Sequence, residues 1–213
     1  MYSSYTAACY ARLWELARQR QVNLEGALTW AFTFVGQPWF AGYRQLATNG
    51  VDLPVLNVFR LFARLGPDQV AATSSGEVPL AQIESDGVRG MPDVGVLATR
   101  ADNGRVDILL WHYQDDDVPG PPAEVHLLLT GLASGLQRQA RVWRVDRRNG
   151  DAFTGWKAMG SPAMPSKQQV DQLIRASRMA ARPVRMGPRL NGSIALERRL
   201  PLQSVELIEI RSQ

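Results

Sequence analysis

The alternation of apolar and polar positions divides the chain near residue 66. Before that point the periods are those of helices and one buried strand. Residues 3 to 20 predict an amphipathic helix, with Tyr5, Cys9, Leu13, Leu16 and Ala17 at helical spacing and Arg12, Glu15, Arg18 and Gln19 opposite. The following "VNLEGALTWAF" is almost continuously apolar, the pattern of a strand buried on both faces in a parallel sheet. A Gly-, Pro- and aromatic-rich loop runs from Thr33 to Gly50. Asp52 is then placed to cap a second helix, "LPVLNVFRLFARL", with Pro54 in its first turn and Gly66 just beyond its end. Val55, Leu56, Phe59, Phe62 and Leu65 form its expected apolar stripe.

After Gly66 the period shortens to two. The runs "QVAATSS", "DVGVLATR", "RVDILLWHY", "AEVHLLLTGL", "QRQARVWRVD", "GSIALERRL" and "SVELIEIR" predict an antiparallel sandwich. Asp102-Asn103-Gly104 marks a tight hairpin between the second and third runs. One helix interrupts the series: Ser166 caps "KQQVDQLIRASRMAA", with Val170, Leu173 and Ile174 on one face. The expected domains are therefore 1–66 and 67–213. A single parallel strand with its flanking helices cannot make a sheet by itself, so the first segment reads as part of something larger.

Composition narrows the function. In 213 residues, 45% hydrophobic and 21% charged, there is material for one large domain or two small ones. The net charge of +4 comes mainly from arginines spread along the chain. Arg147-Arg148 and Arg198-Arg199 read as pairs rather than a patch, which argues against a nucleic-acid partner. No apolar run reaches membrane-spanning length. Met1 leads directly into "YSSYTAACYARLWELA", which has no signal-peptide pattern, so the location is left open and is cytoplasmic only for a chain expressed as given. Cys9, the lone cysteine, excludes an intrachain disulfide and falls at an expected core position. His112 and His126 lie in separate predicted strands without metal-ligand spacing. Asp115-Asp116-Asp117 lacks the spacing of a calcium loop and reads as a solvated turn before Pro119-Gly120-Pro121-Pro122. Trp111, His112 and Tyr113 read as strand core rather than as a sugar platform.

The segment "GALTWAFTFVGQPWFAGYRQLATNGVDLPVLNVFRLFARLG", followed by "VAATSSG" and "LLWHYQDDDVPGP", resembles the C-terminal part of glycoside hydrolase family 39, the β-xylosidases. The resemblance covers nearly the whole chain. It implies an incomplete (β/α)8 barrel end followed by an antiparallel β-sandwich, with Leu24 to Phe34 as the eighth barrel strand, Leu53 to Leu65 as the eighth helix and Tyr2 to Arg20 as the helix before the strand.

It also implies retaining hydrolysis of terminal β-1,4-linked xylose, without cofactor or metal, by two glutamates on earlier barrel strands. Both glutamates are then expected upstream of Met1, and no catalytic residue is expected in this chain. Glu25 stands near the start of its strand, at the wrong end for a barrel site, and Glu15 is placed on a solvent face. The substrate-binding candidates are Trp30, as a stacking platform, and the polar Thr33 and Gln37. Where relatives carry acidic residues after that Trp, this chain has Thr33-Phe34-Val35-Gly36-Gln37.

The expected protein is thus a truncated β-xylosidase-like glycoside hydrolase, inactive alone. Its expected partners are a xylose-containing oligosaccharide in the intact parent and other copies of itself through the exposed barrel remnant, with no membrane partner. The alternatives are a carbohydrate-binding or interaction module, or one half of a split enzyme.

Overall fold

A computed structural model describes residues 2–29, 32–42, 45–132, 138–190 and 192–212. The chain opens with α1 (Tyr2–Gln19), then forms a short hairpin of β1 (Ala47–Thr48) and β2 (Val51–Asp52), and α2 (Pro54–Phe62). Next come β3 (Asp68–Val70), α3 (Leu80–Asp86), β4 (Asp93–Arg100), β5 (Val106–Tyr113), β6 (Ala123–Leu129) and β7 (Arg138–Val145). The chain ends with α4 (Ala152–Ala158), α5 (Lys167–Ala176), β8 (Arg182–Val184), β9 (Arg189–Leu190), β10 (Ser193–Leu200) and β11 (Ser204–Ser212).

Six strands form an antiparallel sheet in the order β3-β4-β5-β11-β7-β8, and three form a second in the order β6-β10-β9. The central strands β5 and β11 are buried almost throughout because both faces of the large sheet are covered. Ile108, Leu110, Ile208 and Ile210 face the small sheet, where Ile194, Leu196 and Leu200 meet them. Leu109, Trp111, Val205 and Leu207 face the other way, onto Ala7 and Ala8 of α1 and Val58 and Leu61 of α2. The two-residue period of a strand sorts these side chains. By contrast β6 has one covered face and alternates, with Leu128 left exposed.

The 101–105 hairpin forms as expected: Arg100 pairs with Val106, and Gly104 takes a positive φ of 77°. Ser166 caps α5 in a reciprocal capping box with Gln169. The cap expected at Asp52 does not form. Leu53 occupies the N-cap without a side-chain bond, and Asp52 instead accepts from Arg60 at 2.7 Å. Nor does Gly66 end α2; its N–H donates to Thr99 at 2.9 Å and Asp107 at 3.0 Å, tying the helix to the large sheet.

The face of α1 is rotated relative to expectation, with Ala17 alone of the expected apolar set fully buried. Ser4, Ala7, Ala8 and Arg12 are buried, while Tyr5, Cys9, Leu13 and Trp14 are exposed. Small residues let the helix backbone come close to the bulky Trp111 and Tyr113, and an ion pair allows Arg12 to follow. Cys9 is therefore a surface residue and not a core one. In α2 Val55 is buried as expected, joined by Val58 and Leu61, while Phe62 and Leu65 pack partly buried against the same core. Phe59 and Phe62 bridge to Tyr10 of α1, with ring centroids 5.5 and 5.6 Å apart.

The expected strand from Leu24 to Phe34 is absent among its described residues. Residues 22–29 and 32–34 are irregular and largely exposed, with Leu28 at 99%. A strand is held by its neighbours' ladder hydrogen bonds, and no described strand lies alongside this segment to supply them.

Candidate functional site

Of the substrate-binding candidates, Thr33 and Gln37 lie in the irregular stretch 32–42. Trp30 lies outside the described residues, as does Met1, upstream of which the two catalytic glutamates are expected. Thr33 and Gln37 are both exposed. The loop is closed at its base by the Phe32 carbonyl, which accepts the N–H groups of Leu46 and Ala47 at 3.0 and 2.9 Å. Its far side is anchored by aromatics: the Phe40 ring lies 5.0 Å from Trp156 and 5.8 Å from Phe153, both on α4. Asn49 reaches the Gln37 carbonyl at 3.5 Å. The loop can therefore present hydroxyl and amide groups on a fixed base. With no carboxylate from Thr33 to Gln37, this segment offers hydrogen bonds but no acid–base chemistry.

The buried carboxylates are all engaged by arginines. Asp93 pairs with Arg12 at 2.8 Å, Asp107 with Arg105 at 2.9 Å, and Glu209 with Arg211 at 2.6 Å. Glu206 accepts from Arg144 Nε at 2.7 Å and Arg198 Nη2 at 2.9 Å, and Asp146 lies 3.9 Å from Arg144. A glycosidase nucleophile or acid needs a carboxyl group open to the sugar, and these are committed to holding the fold. Glu15, expected on a solvent face, is half-buried and accepts from Arg12 at 2.9 Å. Glu25 is exposed and accepts from Asn23 at 3.2 Å.

The remaining candidates are structural. Trp111, His112 and Tyr113 are buried, in agreement with the core reading. Burial pushes the His112 pKa down, and its Nδ1 faces the Leu200 carbonyl at 3.0 Å. The Tyr113 pKa is raised, first by burial and then by its hydrogen bond to Asp115 at 2.6 Å. Asp115 also accepts the Val88 N–H at 2.9 Å, so it organises the turn rather than facing solvent alone. His126 is exposed and paired with Glu197 across β6 and β10. No group of three or more His, Cys, Asp or Glu among the described residues could hold a metal ion, and no described helix is long and apolar enough to cross a membrane.

One feature was not legible as a site. The two arginine pairs, expected to stand apart, meet in a single groove of about 840 Å3 at the end of the two sheets, joined by a second of about 250 Å3 toward α5. Arg147 and Arg148 come from the turn after β7, and Arg198 and Arg199 from β10. The pairs are far apart in sequence, and only the packing of β10 over β7 and β11 unites them.

Comparison with known proteins places this geometry. The family described as "Glycosyl hydrolases family 39" matches residues 16–192. The chain is 31% identical over 169 residues to an α-L-iduronidase of Mus musculus, covering 74% of this chain and 25% of the relative. It is 26% identical over 193 residues to a β-xylosidase of Caldicellulosiruptor saccharolyticus, covering 86% and 36%. Among solved structures, a bacterial orthologue of human α-L-iduronidase superposes with a TM-score of 0.66 at 19% identity, over 99% of this chain and 38% of that one. A family 39 β-xylosidase of Caulobacter crescentus gives 0.58 at 22% identity, over 98% and 40%. The chain thus spans about a quarter to two fifths of the length of these relatives. It belongs to glycosyl hydrolases family 39.

Proposed function

We propose, from this membership of family 39, that the chain is the C-terminal portion of a β-xylosidase-like glycoside hydrolase. Residues 1–66 form the end of a (β/α)8 barrel and residues 67–213 a β-sandwich accessory domain. The observation that carries the reading is one continuous family match over residues 16–192, running through the candidate loop, α2 and both sheets.

In this reading the chemistry is retaining hydrolysis of a terminal β-1,4-linked xylose. Two glutamates supplied by barrel strands outside this chain, upstream of Met1, stand about 5–5.5 Å apart. One attacks the anomeric carbon while the other protonates the leaving oxygen, and water then resolves the glycosyl-enzyme with retention. This chain's part is to complete the barrel rim. Trp30 stacks on a sugar face, and Thr33 and Gln37 hydrogen-bond its hydroxyls. Residues 24–34 gain strand geometry from a neighbouring barrel strand. The exposure of Leu28, Val35, Phe32 and Trp14 supports this, since such a neighbour would cover them.

The test is co-expression of this chain with the preceding β/α units of the Caldicellulosiruptor β-xylosidase. Release of p-nitrophenol from p-nitrophenyl β-xyloside is expected only from the complemented protein, with a raised KM in Trp30→Ala. A folded complex without turnover, or turnover indifferent to Trp30→Ala, overturns the reading. The 31% identity to an α-L-iduronidase favours a second reading in which the sugar is an iduronide, distinguished by running the iduronide beside the xyloside.

A further inference from the structure

The groove beside β10 is lined largely by arginines. Eight arginines line its two connected parts, and Asp146 and Glu197 are the only carboxylates among the lining residues. Arg144, Arg148, Arg182 and Arg198 border both parts, so the charge runs along the groove.

Four of the eight arginines, Arg144, Arg147, Arg198 and Arg199, have carboxylate partners, and the other four have none among the described residues. Arg144 and Arg198 are clamped by one carboxylate, that of Glu206, which is fully buried beneath them. Glu206 fixes the planes of both guanidinium groups, and Asp146 lies 3.9 Å from Arg144. At the rim Arg147 pairs with Asp117 and Arg199 with Glu124, both at 3.1 Å. Arg182 is anchored through Asn149 at 3.1 Å. Arg148, Arg175 and Arg178 have no carboxylate partner among the described residues. Like charges gathered with too few counter-charges repel, and such an arrangement is relieved by an anion. A guanidinium fork matches a carboxylate or sulfate through two parallel hydrogen bonds, and a fork already oriented loses little freedom on binding.

We propose that this groove binds an anionic oligosaccharide, one carrying uronate carboxylates or sulfates, at a site separate from the stretch holding Thr33 and Gln37. No Trp, Tyr or Phe lines either part. A neutral sugar or a nucleobase would need such a platform to stack on, whereas an anionic glycan is held through its charged groups. The choice of a glycan rests on the reading of the chain as part of a glycoside hydrolase. The anion-binding geometry does not.

The test titrates the full chain with fluorescently labelled tetragalacturonate, with xylotetraose and a 12-mer of single-stranded DNA as competitors. Saturable binding of the oligouronate is expected, weakening as salt rises. Arg148→Ala and Arg182→Ala should each weaken it about tenfold or more, and Arg18→Ala, on the distant α1, should leave it unchanged. These side chains are exposed, and circular dichroism confirms that the variants fold. Absence of oligouronate binding, or binding indifferent to Arg148→Ala and Arg182→Ala, overturns the site. Displacement by DNA more readily than by unlabelled tetragalacturonate overturns the ligand class. Because no turnover is measured, failure here is distinguishable from failure of the xyloside assay.

Discussion

Arg12 on α1 and Asp93 on β4 form a buried ion pair at 2.8 Å, joining positions 81 residues apart. Asp93 is fully buried and also accepts the Val78 N–H at 2.8 Å and the Trp111 indole N–H at 2.6 Å. The Arg12 guanidinium lies 5.8 Å over the Trp111 ring and bonds Glu77 as well. This network fixes the first helix to the large sheet. Arg12→Met leaves a buried carboxylate without counter-charge and should cost about 3–5 kcal/mol in urea unfolding. Asp93→Asn keeps a polar partner and leaves Arg12 with its two glutamates, for about 1.5–3 kcal/mol. The reverse order of these two variants would contradict the assignment.

Gly95 lies opposite Trp111 in the β4–β5 register, and a Cβ there would stand 2.0 Å from the indole ring. The ring cannot retreat, because its N–H is held by Asp93. Gly95→Ala should cost about 1–3 kcal/mol or more and alter the near-ultraviolet circular dichroism of Trp111. An unchanged unfolding midpoint would show that the indole is free to move.

His112 gives the fold an acid-sensitive limb. Burial lowers its folded-state pKa below the ordinary 6.5, so the unfolded chain binds the extra proton first. Stability should therefore fall as pH drops below about 6.5, by up to about 1.4 kcal/mol per unit while the folded imidazole stays neutral. His112→Gln should flatten that limb. An equally steep limb in the variant would assign it to other groups.

How much of this was legible depended on where each element finds its partners. The strands β4, β5 and β11 were readable because both their faces are covered within the chain, β10 because one face is covered and its period alternates, and Ser166 announced its helix through local hydrogen bonds. The face of α1 was not readable. Hydropathy places Leu13 and Tyr5 inward, but contact with Trp111 selects small side chains and one charged group with a buried partner. The strand at 24–34 was read from its apolar composition, yet pairing is a property of neighbours that composition does not supply. For the candidate site, Thr33 and Gln37 lie on an exposed loop, as their Gly- and Pro-rich surroundings suggest. The arginine groove was hidden because its members come from separate strands and turns.

The exposed apolar side chains of residues 22–35 should drive concentration-dependent self-association. Sedimentation velocity of the full chain is expected to show a faster species as concentration rises, diminished in a Leu28→Ser, Val35→Ser variant. A wild-type chain that stays monomeric at high concentration would contradict this.

The most direct test of the proposed role is the activity of the purified chain alone on p-nitrophenyl β-xyloside. With its buried carboxylates committed to arginines and no carboxylate from Thr33 to Gln37, no p-nitrophenol release above buffer is expected. Steady turnover that disappears in Glu25→Gln or Glu15→Gln would place a catalytic carboxylate within these residues and contradict it.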